Sequence, residues 1–152
     1  MSNEGKLGPN AVWIFALATL GVAIGATYIV PAITHSISQK TFAAVYFAVF
    51  GAGATLAVWL TRASVLRTIG AMSVAGAGLG VFYYIVISRL LAAAAAEVGG
   101  EAAGHVGAGI GGIMGMVFAI AFLVDSLAGS IAGALFGSKL RKGLATPSLA
   151  KR

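Results

Sequence analysis

Four long stretches of this chain are almost free of charge. Residues 11–33, 42–60 and 69–88 carry none over 23, 19 and 20 positions, and residues 106–136 carry a single acid, Asp125, in 31 positions. A helix rises about 1.5 Å per residue, so roughly 20 apolar residues cross about 30 Å of hydrocarbon. The first three stretches have that length and the fourth exceeds it. The other residues do not offset this apolarity, because hydrophobic residues make up 59% of the 152 and charged residues only 9%. A soluble globular chain is roughly 25% charged, so an ordinary soluble domain is excluded. The lack of cysteine excludes a disulfide scaffold, and no Gly-X-Y period points to collagen. The expected class is all-α: a polytopic membrane protein.

The turns between the spans are short enough to force antiparallel neighbours. One runs from Ser36 to Thr41 after Pro31, and a second from Thr61 to Arg67. The third differs. After Arg89 a run of leucine and alanine reaches Glu97, strong helix formers throughout, then Gly99-Gly100 interrupts, and Glu101 offers a carboxylate suited to a helix N-terminus. This predicts that helix three continues beyond the membrane, reverses at the glycine pair and returns as helix four. The expected architecture is an antiparallel four-transmembrane-helix bundle with a protruding outer helical hairpin. Its spans lie at about 11–33, 42–60, 69–91 and 106–136, within a membrane domain of residues 1–137 that is followed by a basic tail, 138–152.

Four spans put both termini and the second turn on one side. That side holds Lys6, Arg62, Arg67, Lys139, Arg141, Lys142, Lys151 and Arg152, whereas the other holds Lys40 and Arg89. By the positive-inside rule both termini are expected in the cytoplasm. Trp13 and Trp59 fall at the same ends of spans one and two, where an indole N–H reaches the interface. Residues 1–10 contain one lysine, and no A-x-A-like cleavage site follows the apolar run, so span one is expected to be retained.

Helices in lipid associate through close packing that small residues permit, and the chain has 22 glycines. At four-residue spacing they form Gly107, Gly111 and Gly115, then Gly129, Gly133 and Gly137. Gly76 and Gly80 mark span three and Gly21 and Gly25 span one. Each set shares one helical face. Contact within the chain, between copies, or with other membrane subunits is expected along these faces.

Asp125 stands eleven positions before Phe136, about half of a 20-residue span, which predicts a place near the bilayer midplane. A carboxylate there costs about 2.5–3.5 kcal/mol on insertion scales. With Ala121, Gly129 and Ala132 as its face neighbours, and no Lys or Arg inside a span, it is either a proton or cation site or a neutral interhelical hydrogen-bond donor. Gly76-Ala77-Gly78-Leu79-Gly80 beside the helix bearing Asp125 resembles one hairpin of the rotor proteolipids of rotary ATPases, which implies a proton-carrying role for Asp125. Those proteins have a basic cytoplasmic loop between the two helices. Here that loop holds Glu97 and Glu101 and is predicted outside, so the chain departs from the family there.

Glu101 and His105 are four residues apart and, with Glu97 or His35, could be drawn as a metal site. In a solvated turn such groups are expected to be surface residues, and neither metal nor haem nor other cofactor is expected. No Ser, His and acid triad shares one depth, and no Gly-Lys-Ser/Thr follows a glycine run, so the chain is not expected to be an enzyme. The tail charges Lys139, Arg141, Lys142, Lys151 and Arg152 suit anionic headgroups at about 1 kcal/mol each; nucleic acid is not expected there. Three functional classes remain. The first is a structural or assembly subunit, the second a proton or ion conductor using Asp125, and the third an envelope or coat protein with a basic tail.

Overall fold

The computed structural model describes residues 7–34, 39–61 and 63–145. They are helical almost throughout. Among them no strand forms, and an isolated bridge joins Leu7 to Thr61. A short 3-10 turn, Pro9–Ala11, leads into α1 (Val12–Thr34), followed by α2 (Gln39–Leu60) and α3 (Val65–Ala145). Three helical stretches, one in each of these helices, are long and apolar enough to cross a membrane.

The boundaries follow local chemistry. Gly8 and Pro9 open the first turn among the described residues, where the missing N–H of proline costs nothing. At the end of α2 the Thr61 hydroxyl donates to the Ala57 carbonyl oxygen at 2.6 Å and accepts the Ala63 N–H at 3.1 Å. Ser64 then caps α3, its hydroxyl oxygen accepting the Arg67 N–H at 3.2 Å. The turn expected over 61–67 is therefore shorter, because a serine cap starts α3 at Val65. Likewise α2 begins at Gln39, three residues before its charge-free run, so that Lys40 lies inside its first turn.

As a straight rod the 81 residues of α3 would reach roughly 120 Å. Gly100 breaks it, with φ 74° and ψ −166°, a backbone region essentially restricted to glycine. The two arms, 65–99 and 101–145, then run side by side. A methyl group added at Gly104 would meet Ala96, one at Gly107 Leu91, one at Gly111 Ser88 and one at Gly115 Tyr84. One series ascends as the other descends, so the arms are antiparallel. Helix α2 lies along the second arm in the parallel sense, with Phe47, Gly51 and Thr55 against Gly129, Gly133 and Gly137. Helix α1 crosses back against α2, Thr19 meeting Gly53 and Thr27 meeting Tyr46.

The core sits where all of these meet. Tyr46, Phe50, Met72, Leu79 and Val58 are fully buried there, together with small residues such as Ala54, Ala57 and Ala134. Most other large apolar side chains point outward, as expected of a lipid-facing surface. Lys40 shares a groove with Ala121, so the second arm from 101 to about 117 reaches past the start of α2, by roughly 25 Å at 1.5 Å per residue.

Candidate functional site

The glycine positions divide sharply. Along the first half of the second arm, a methyl at Gly111 would stand 2.8 Å from Ser88 Cα, and one at Gly115 3.0 Å from Tyr84 Cα. On the facing arm, Gly80 lies against Ala119, and Gly76 against the Ser126 hydroxyl. Gly129, Gly133 and Gly137 instead press on the backbone of α2, at Phe47, Gly51 and Thr55. Gly107 and Gly129 are 22 positions apart, which at about 100° per residue leaves them within roughly 40° of one face. The second arm thus offers nearly the same face twice, first to the other arm and then to α2. Gly21 and Gly25 are different, because among the described residues nothing lies within 4 Å of a methyl added at either.

A hydroxyl chain ties α1, α2 and α3 together. The Tyr83 hydroxyl donates to Thr27 Oγ1 at 2.7 Å, and Thr27 donates to the Ala23 carbonyl oxygen at 3.2 Å. Tyr46 bonds to the Tyr83 hydroxyl, with Thr27 Oγ1 also at 2.9 Å. Tyr46 to Tyr83 to Thr27 to Ala23 uses each proton once and ends on a backbone carbonyl. Every donor is satisfied, as burial requires. Aromatic rings enclose it: the Tyr46 and Phe122 centroids are 4.8 Å apart and those of Tyr83 and Phe122 4.5 Å. The sequence reading missed this cluster. Its signal was a tyrosine well inside an apolar span, whose O–H must find a partner there.

Asp125 is half-buried, on the rim of a groove of about 430 Å³ that it shares with Lys40 and Ala43. Because Gly129 faces Phe47, Asp125 lies one turn earlier, beside Ala43, near the beginning of α2. The register of α2 with the second arm thus sets Asp125 level with the first turns of α2. The acid is also not remote from basic side chains, since the early start of α2 brings Lys40 to the same groove. Among the described residues neither Asp125 nor Lys40 makes a hydrogen bond or ion pair. The residue pointing fully into the interface is its neighbour Ser126, which is buried.

The opposite end of the molecule is basic. Arg67 Nη2 donates to Asn10 Oδ1 at 2.6 Å, and Arg141 Nη1 to the Ala63 carbonyl oxygen at 3.3 Å. These bonds gather the start of α1, the α2–α3 turn and the end of α3, alongside exposed Trp13 and Trp59. Lys139, Arg141 and Lys142 belong to α3, which continues to Ala145. Lys6, His35, Arg62, Lys151 and Arg152, and the first turn from Ser36 to Ser38, lie outside the described residues. Glu97, Glu101 and His105 are exposed beside the Gly100 turn, and among the described residues no three His or acid side chains gather at metal-binding distance. Compared with protein-family models, curated proteins and solved structures, the chain matches none.

Proposed function

We propose that this chain is a non-enzymatic, multi-pass integral membrane protein that serves as a structural or assembly subunit, associating with copies of itself or with other membrane subunits. In this reading α1, α2 and the two arms of α3 are four spans. The basic end is cytoplasmic and holds anionic lipid, and the Gly100 turn protrudes on the outer side.

The contrast among the glycines carries the reading. The faces of Gly76, Gly80, Gly107, Gly111, Gly115, Gly129, Gly133 and Gly137 are occupied within the chain, whereas Gly21 and Gly25, with exposed Ala18 a turn before, leave a face of α1 that no described residue covers. In lipid such a face gains from close contact with another helix. Gly21→Leu and Gly25→Leu should leave the fold intact and shift the detergent-solubilised protein to a smaller species on a sizing column. An unchanged elution position for both would count against assembly through α1.

A second reading, a proton or ion conductor, draws on the half-buried place of Asp125 in its groove. Unchanged flux into reconstituted liposomes on Asp125→Asn would remove it.

A further inference from the structure

The groove beside α2 holds two opposite charges in a setting that is otherwise apolar. Its volume of about 430 Å³ lies within the range of small-ligand sites, roughly 300–1,000 Å³. Lys40 stands in the first turn of α2, where unsatisfied N–H groups and the positive end of the helix dipole favour an anion. Asp125 stands on the facing arm, and Phe118, Phe122 and Val124 supply the apolar wall between. A purely structural Lys and Asp in one hollow would pair with each other. Here, among the described residues, each is left without a hydrogen bond or ion pair.

We propose that this groove binds the headgroup of a phospholipid carrying both a phosphate and a primary ammonium, of the ethanolamine type. The phosphate meets Lys40 and the first N–H groups of α2, and the ammonium donates to Asp125. Charge complementarity selects this occupant. An anionic glycerol headgroup satisfies Lys40 but leaves the carboxylate unpaired, and a choline headgroup brings a cation with no N–H to donate. The assignment rests on the membrane embedding proposed above.

The test is native mass spectrometry of the delipidated full chain in detergent, titrated with phosphatidylethanolamine, phosphatidylcholine and phosphatidylglycerol of identical acyl composition. The wild type should retain the ethanolamine lipid about ten-fold better than either other lipid, the worth of one charge-assisted hydrogen bond. Asp125→Asn should abolish the preference for ethanolamine over choline, and Lys40→Gln should weaken all three lipids. Lys40 is exposed, so that variant remains informative if Asp125→Asn fails to fold. Equal retention of the three lipids, an unchanged preference in Asp125→Asn, or a dimer free of lipid adducts would overturn the proposal. Equal retention, with cysteines introduced at Val98 and Gly143 labelled by an impermeant maleimide from opposite sides of the membrane, would sink this site alone; labelling of both from one side would sink the embedding as well.

Discussion

The Thr55 hydroxyl lies 3.0 Å from the Gly133 carbonyl oxygen on the second arm of α3 and 2.8 Å from the Gly51 carbonyl oxygen on its own helix. One short side chain reaches acceptors on two helices. That requires the two backbones to approach more closely than any Cβ at position 133 would allow, since a methyl there would run into the backbone of Gly51. The contact is thus made by what residue 133 lacks.

Gly133→Leu should therefore be among the most damaging single substitutions. Overpacking costs about 1–3 kcal/mol where side chains can adjust, and here the obstacle is backbone. Thr55→Val, which removes only the hydroxyl, should cost about 0.6 kcal/mol, the average for interhelical hydrogen bonds in membranes. Thermal unfolding in detergent followed by circular dichroism ranks the two; equal midpoints would contradict the close-approach account.

The Tyr46 and Tyr83 hydroxyls should be energetically coupled. Tyr46→Phe and Tyr83→Phe each remove a link in a chain of bonds that joins three helices, and the double variant should lose less than the sum of the two. A double-mutant cycle is expected to give a coupling of about 0.5–1.5 kcal/mol. Strict additivity would mean that the hydroxyl chain does not act as a unit.

Two glycines of α3 should respond to alanine with opposite signs. Gly100 has a φ of 74°, so Gly100→Ala should destabilise by about 1–3 kcal/mol. Gly109 is helical with no described residue within 4 Å of an added methyl, so Gly109→Ala should stabilise by up to about 1 kcal/mol. Unfolding midpoints that shift the same way would contradict the break at Gly100.

Sidedness is open to direct labelling, because the chain has no cysteine of its own. Val98 is 92% exposed beside the Gly100 turn, and Gly143 is exposed at the basic end. In intact cells a membrane-impermeant maleimide should modify Val98→Cys, and Gly143→Cys only after permeabilisation. The reverse pattern would invert the orientation.

The helical class could be read from the sequence, because charge-free length is a local signal, and the glycine pair falls where α3 departs from helical backbone at Gly100. The ladders at four-residue spacing mark candidate faces, of which those on α3 meet other helices and that of Gly21 and Gly25 meets none of the described residues. Their partners were not legible. Whether Gly129 meets α2, or Gly21 meets anything, depends on the register between helices, which no single helix encodes. Asp125 illustrates the same gap: the contacts at Gly129 and Gly133 align it with the beginning of α2 and with Lys40, a neighbour that counting along one span does not reveal. The hydroxyl chain was missed because Thr27, Tyr46 and Tyr83 are ordinary residues separately and acquire meaning only when three helices converge.

The reversal at Gly100 also orders events in time. The first contacts across it, Gly99 with Ala103 and Gly104 with Ala96, join residues only a few positions apart. Closing so short a loop costs little entropy, and each following pair extends a loop that is already shut. The arms should zip from the tip inward. The contact between Thr55 and Gly133 spans 78 positions, so its loop closure costs more and it is expected to follow, once the second arm presents Gly129, Gly133 and Gly137 to α2. Nucleation at one left-handed residue therefore prepares the surface on which the rest of the molecule condenses.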